Sequence, residues 1–357
     1  MTDLPALPAT MPAVAVTGAF PVSDPRCLDD VVVDVPVPGP RDLLVEVTAV
    51  SVNPIDTKMR LRAAEQVASG GQPVLGYDAA GTVVAVGADV TRFSVGDAVF
   101  YAGDQTRPGT DARFHAVDER IVGHAPTSVS LVEAASLPLT SLTAWEALFE
   151  RLGIGLDAGT DSPGALLVLG GSGGVPSAMV QLARALTGLT VIGTAGREES
   201  RAWLTRLGAH HVIDHHRDLA EQVAELQQRG VPPVRHVFTS QSSGRAAELA
   251  ALLAPAGDLC LIDDPDPFEL SAFKRKSQAV HWESMFTKII FGDASGDPAV
   301  DPAIQGRILD RVADLVDAGR MVPTTGETLV GLNAETLAAA HRDLADGHVT
   351  GKIVVRV

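Results

Sequence analysis

The chain has 357 residues, 46% of them hydrophobic and 20% charged, which is enough to build two packed domains. Lys and Arg number 28 against 44 Asp and Glu, and a formal net charge of −16 repels a nucleic-acid backbone, so no DNA or RNA partner is expected. The only cysteines, Cys27 and Cys260, are too few for a disulfide framework or a thiolate metal site, and they point to a reducing, cytoplasmic setting.

The opening "MTDLPALPATMPAVAV" has neither a basic leader nor an apolar stretch of signal length. No later run reaches the roughly 18 apolar residues of a membrane span, so a soluble protein is expected, with residues 1–11 as a flexible extension. From Ala13 to about Val122, β-branched runs such as "DLLVEVTAVSVN", "AAGTVVAVG" and "GDAVFYAG" alternate with Gly, Pro and Asp and predict an all-β region. Near Leu131 the apolar spacing becomes helical, and strands then alternate with helices: "ALLVLGG", "TVIGTAG", "HVID", "VRHVFTS" and "GDLCLIDD" are the strands. Such alternation predicts a doubly wound parallel sheet. Two helices follow Pro298, and "GKIVVRV" closes the chain as a strand returning to the first domain. The fold class is thus α/β, with domain boundaries at 1–131, 132–297 and 298–357.

"LLVLGGSGGVPSAMVQLAR" (166–184) places Gly170, Gly171, Ser172, Gly173, Gly174 and Val175 between a buried strand and a helix. Backbone amides there can approach a pyrophosphate, and the helix N-terminus favours its charge. Pro176 stands where the last glycine of a dinucleotide fingerprint is expected. That glycine serves helix–strand packing, and a proline in the first helical turn gives up only an orphan N–H, so the fingerprint survives with weakened binding. No acid follows the second strand to hold a ribose diol. Thr194, Gly196, Arg197, Ser200 and Arg201 suit a 2′-phosphate, hence NADPH, although both arginines also fit as helix-cap residues paired with Glu198 and Glu199. Ile262 and Asp263 fall at a strand end, where ligands of such sheets bind, and could flank the nicotinamide. The basic run 273–286, with Phe273, Trp282 and Phe286, reads either as a cofactor-side cap or as a solvated loop before a packed helix.

The β-rich front half, the "GGSGGV" turn and "GKIVV", with "VSVNPIDTKMR" (50–60), "LGYDAAGTVVAVG" (75–87), "LPLTSLTAWEAL" (137–148) and "LGAHHVID" (207–214), resemble the medium-chain dehydrogenase/reductase superfamily over nearly the whole chain. Within it they are most similar to the zinc-free quinone oxidoreductase branch. The resemblance implies a GroES-like β-rich catalytic domain, a Rossmann domain and a cleft between them. It also implies Asn53 beside the nicotinamide, as a candidate to hydrogen-bond the substrate carbonyl, with Asp56 orienting its neighbours, although Asn53-Pro54 alone reads as a turn signal. Lys58 stands where many relatives carry a tyrosine, and it could donate a proton or simply point to solvent. Tyr77 and Tyr101 are candidate proton donors or core residues. Thr140 matches a position touching the nicotinamide, and Lys352 a lysine near the cofactor. Relatives are commonly homodimers joined through a Rossmann sheet edge, for which "GDLCLIDD" is a candidate.

The family's catalytic zinc needs two thiolates and an imidazole, and "NPID" and "GYDAAG" stand where such ligands would lie, so no metal is expected. Without a Lewis acid, hydride transfer to a quinone or an α,β-unsaturated carbonyl is easier than oxidation of a simple alcohol. The expectation is an NADPH-dependent, zinc-independent reductase of such small molecules. An enoyl reductase or dehydrogenase of a dedicated metabolite, and a non-catalytic NADP(H)-sensing or interaction protein, are the alternatives.

Overall fold

The structure is a computed structural model and describes residues 7–156, 164–347 and 349–357. Its contacts define two compact units. The first comprises the described residues to Leu139 with Phe286–Asp317 and Thr325–Val357; the second comprises Thr140–Met285 with Ala318–Thr324.

In the first unit β1 (Thr10–Val16) pairs antiparallel with β2 (Leu28–Asp34). β3 (Asp42–Val52), buried along most of its length, anchors the main sheet. β4 (Asp78–Val86), β5 (Ala98–Tyr101), β6 (Phe114–Asp118) and β7 (Val122–His124) complete its antiparallel part, with β4 and β6 both pairing to β3. The second unit is a six-stranded parallel sheet built from β8 (Ala165–Leu169), β9 (Thr190–Thr194), β10 (His211–Ile213), β11 (Val234–Thr239), β12 (Asp258–Leu261) and β13 (Ala279–Trp282), in the order β10-β9-β8-β11-β12-β13. β8 is buried at every residue, as a strand covered on both faces must be. β14 (Thr325–Val330) and β15 (Lys352–Arg356) then join the first unit, β15 pairing with the end of β3.

Several expectations are corrected. The first strand begins at Thr10, inside the stretch read as an extension; residues 1–6 lie outside the described residues. The front half is not all β, because helices span Pro54–Arg62 and Ala64–Ala68. Asn53 before Pro54 is a helix start as well as a turn signal, and the Asp56 carboxylate accepts the Asn53 backbone N–H at 2.6 Å. The first unit extends to Leu139 instead of 131: the helix Leu131–Ala134 packs on its strands, and the Leu139 N–H donates to Asp78 Oδ1 at 2.7 Å. The return to the first unit comes at Phe286 instead of 298, where its ring packs 5.1 Å from that of Tyr77. Residues 318–324 rejoin the second unit because the Gln181 side chain bonds both the N–H and the C=O of Val322.

β12 is not a sheet edge, being flanked by β11 and β13; among the described residues the edge strands are β10 and β13. Nor does the basic run make one cofactor-side wall. The Lys276 ammonium donates to the carbonyls of Ala250, Ala251 and Leu253, closing the end of the helix Ala246–Leu252. Phe273 is buried in the second unit, Trp282 is exposed on β13, and Phe286 belongs to the first unit.

Candidate active site

Two strands of the first unit carry opposite charges into an apolar sheet. Asp78 opens β4 and Lys352 opens β15; both are buried, and Lys352 Nζ lies 3.0 Å from Asp78 Oδ2. Burial of such a pair requires its remaining valences to be filled. The Ser51 hydroxyl and the Asn53 amide each donate to Asp78 Oδ2 at 2.9 Å, and the Leu139 N–H occupies Oδ1. Lys352 donates to the Val52 carbonyl at 2.9 Å and also to Asn53 Oδ1. Asn53, expected to meet a substrate carbonyl, is therefore the bridge between a buried cation and a buried anion. Lys352, expected beside the cofactor, is bonded within the first unit to Asp78, Asn53 and Val52. Asp78 was not singled out from sequence, although an acid in one apolar strand and a lysine in another are the readable signature of such a pair.

Beside this group stand two further acids and a phenol. Burial, and then the negative charge of Asp111, push the Asp56 carboxyl well above the usual carboxylate range, against the pull of the Asn53 N–H and Lys352. Among the described residues its Oδ1 has no hydrogen-bond partner. Burial alone pushes Asp111 up to about 7. The Thr110 and Asp111 side chains press over Gly76, where φ is +93° and an added Cβ would fall 2.6 Å from the oxygens of both. The next residue is Tyr77, whose hydroxyl is raised by burial and by the charges of Asp56 and Asp111. That hydroxyl makes no hydrogen bond among the described residues, and Tyr77 lines a cavity of about 530 Å³ within the first unit. Met59, Val74, Leu75 and Phe114 supply apolar wall, and Arg62 and Gln105 polar groups. Asp111 had no signal in the sequence, since "GTDA" reads as a turn.

Of the two readings open for Tyr101, its surroundings are those of a core residue. It is wholly buried, its ring stacks on that of His115, and its hydroxyl is 3.2 Å from His115 Nδ1. Burial lowers His115 to about 4, so the ring is neutral near pH 7; with Nε2 donating to the Pro108 carbonyl, Nδ1 must accept, and the Tyr101 proton is committed to it. Lys58, on the helix after Asn53, is exposed.

In the second unit the glycine turn has the geometry of an anion cradle. Gly170 (φ +131°) and Gly171 (φ +64°) occupy the region that favours glycine. A Cβ at Gly170 would also meet Ser240 Oγ at 2.7 Å and Pro176 Cγ at 2.9 Å. Gly173 differs, with an ordinary φ of −66° and nothing nearer than 3.6 Å to an added Cβ. Nothing inside the protein demands a glycine there. The space is left open over the mouth of the helix Gly174–Leu186, where the orphan N–H groups of Gly174 and Val175 begin the first turn and Pro176 supplies none. The residues present thus fit a dinucleotide diphosphate.

The expected 2′-phosphate group is dispersed. Thr194 is fully buried and its hydroxyl donates to the Val168 carbonyl. Ser200 is buried and accepts the Ser172 hydroxyl at 3.0 Å, tying the turn to the next helix. The Arg201 guanidinium donates to the Val212 carbonyl. Arg197 remains exposed at the N-cap of the helix Glu198–Arg206. Gly196 is overhung by two rings, with His216 Nε2 2.3 Å and His215 Nε2 2.9 Å from where its Cβ would be. Asp263 accepts the Ser242 N–H at 2.7 Å and hydroxyl at 2.9 Å, fixing the loop after β11; the preceding Ile262 donates its N–H to Thr239. Thr140 is buried in the helix Pro138–Trp145.

Residues 39–137 match the alcohol dehydrogenase GroES-like domain, and residues 207–355 match a zinc-binding dehydrogenase model. A zinc-type alcohol dehydrogenase-like protein of Staphylococcus aureus is 37% identical over 327 residues, 90% of this chain and 92% of its own. A crystal structure of a Rhizobium etli protein, ascribed to the zinc-dependent alcohol dehydrogenases, superposes with a TM-score of 0.89 at 47% identity, covering 98% of each chain. A quinone oxidoreductase of Pseudomonas syringae superposes with a TM-score of 0.76 at 26% identity, over 97% of this chain and all of the other. The chain belongs to the medium-chain dehydrogenase/reductase superfamily of oxidoreductases, with a GroES-like domain and a Rossmann-like nicotinamide-dinucleotide-binding domain.

The zinc in the relatives' names does not fit the donors described. Among the described residues no three His, Cys, Asp or Glu side chains are grouped to hold a metal ion. The Asp78 carboxylate is already neutralised by the Lys352 ammonium. Also among the described residues, no helix is long and apolar enough to cross a membrane.

Proposed function

We propose that this protein is an NADPH-dependent, zinc-independent reductase that transfers hydride to quinones or α,β-unsaturated carbonyl compounds. The observation that carries the reading is the Tyr77 hydroxyl, unbonded at a cavity wall beside the buried carboxyls of Asp56 and Asp111. The reduced nicotinamide, when bound, supplies the hydride. What the chain must then supply is a hydrogen-bond donor for the developing enolate or phenolate oxygen, and a proton. Tyr77 donates to that oxygen, and Asp111, protonated up to about pH 7, restores the proton. Asp56, held in place by the Asn53 N–H, raises the phenol and keeps its proton on oxygen until a base forms. The Asp78–Lys352 pair positions Asn53 and the N-terminus of the helix that carries Asp56. Met59, Val74, Leu75 and Phe114 give the cavity that Tyr77 lines an apolar surface for a carbonyl substrate.

On this reading Gly170–Val175 hold the diphosphate, and the protein works in the cytoplasm as a homodimer. The quinone oxidoreductase and zinc-type relatives support the reaction class. The test is NADPH oxidation followed by absorbance with a panel of quinones and simple enones, with product identification. Saturable NADPH consumption yielding a hydroquinone or a saturated ketone is expected, from enzyme freed of metal by chelator. Turnover of simple alcohols in its place, or activity that returns only on adding zinc, would overturn the proposal.

A further inference from the structure

The end of β9 is where a doubly wound sheet meets the adenosine ribose, and the arginine and serine side chains expected there are largely committed elsewhere. Ser200 is buried against Ser172, and Arg201 holds the Val212 carbonyl. What covers the backbone at Gly196 is a pair of imidazoles from the loop after the neighbouring strand β10. The His215 and His216 rings meet edge to face with centroids 4.5 Å apart, both Nε2 atoms converge on Gly196, and both residues are exposed. Neither ring makes a hydrogen bond among the described residues. The His216 N–H donates to Asp214 Oδ1, which fixes the loop and leaves the rings directed at Gly196.

We propose that His215 and His216, with Arg197 at the adjoining helix start, form the recognition site for the 2′-phosphate of NADPH, so that preference for NADPH over NADH strengthens in acid. The proposal rests on the dinucleotide reading above and adds to it the residues that choose between the two cofactors. A neutral imidazole offers a phosphate one N–H; an imidazolium offers the same bond with charge. The charged groups acting on His215 are His216, Asp214 and Arg245; Arg197 and Arg217 are the cations next along the chain, beside Gly196 and His216. Burial, each other's charge and Arg245 disfavour protonation of His215 in the free protein, while Asp214 favours it; Arg245 is partly neutralised by Glu248 at 2.8 Å. A bound phosphate dianion reverses that balance and draws a proton onto His215.

The test is titration of the full chain with NADPH and with NADH, by calorimetry and by tryptophan fluorescence, at pH 8, 7 and 6. Wild type should show an NADPH-to-NADH affinity ratio that grows by up to about tenfold per pH unit for each proton taken up. The 2′-phosphate has its own ionisation near pH 6, so the comparison is with His215→Gln/His216→Gln, in which the growth should vanish and the ratio at pH 6 should fall at least about tenfold. Imidazole NMR signals of wild type should also titrate at higher pH with NADPH bound than with NADH. A ratio unaffected by pH, or an equal pH dependence in the double variant, would overturn the histidine assignment while leaving the cofactor reading intact. Binding of neither dinucleotide at any pH would overturn both.

Discussion

Asp111 holds its proton at a pH where a solvated aspartate has lost it, and burial is the reason. Two consequences follow from the shift of its carboxyl from 3.8 to about 7. For catalysis, the donating form is present below pH 7 and disappears above it, so the turnover rate should fall as pH rises through that point. Asp111→Asn should remove this limb and lower kcat about a hundredfold, with less effect on KM; a variant with an unchanged pH profile would exclude the role. For stability, the folded state binds more protons than the unfolded one between pH 3.8 and about 7, so the contribution of this group is complete below 3.8 and declines as pH rises towards 7. Thermal melts of Asp111→Asn across that window should be flatter than those of wild type.

Elements were readable in the sequence to different depths for physical reasons. The parallel strands stood out because burial on both faces leaves continuous apolar runs such as "ALLVL". The helix Pro54–Arg62 was missed because it has little apolar periodicity; its evidence was the Asn-Pro start and Asp56, which were assigned to chemistry. The glycine turn was located correctly, but which glycine is spared for a ligand depends on neighbours distant in sequence, such as Ser240 against Gly170. Side-chain spacing does not reveal that Arg201 donates to the Val212 carbonyl or that Ser200 accepts from Ser172. The same turn makes a paired prediction. Gly173→Val should fold with little change in melting temperature yet weaken dinucleotide binding by more than about tenfold, since the added atoms enter the diphosphate space. Pro176→Ala should restore one N–H at the helix mouth and tighten binding by up to about tenfold. Calorimetric Kd values and melting curves distinguish these outcomes; a Gly173→Val protein with wild-type affinity would remove the cradle from the site.

At the scale of the molecule, β13 presents one backbone edge unpaired among the described residues and an exposed Trp282, 48% accessible. If the proposed homodimer forms there, sedimentation should show a dimer in wild type and a monomer in Trp282→Glu, whereas a dimer unaffected by the change would place the interface elsewhere. The change of texture near Leu131 is visible in the sequence, but the points where the chain crosses between units depend on tertiary packing, such as that of the helix Leu131–Ala134 on first-unit strands. One of those crossings governs how the chain can be taken apart. Residues 318–324 leave the β-rich unit only to lay Val322 on Gln181, bury Met321 and let Arg320 reach the Ala185 carbonyl, before the chain goes back. An isolated 140–285 fragment would therefore lack a sliver of its own wall, and swapping nucleotide-binding halves between relatives should succeed only when this short strap travels with them.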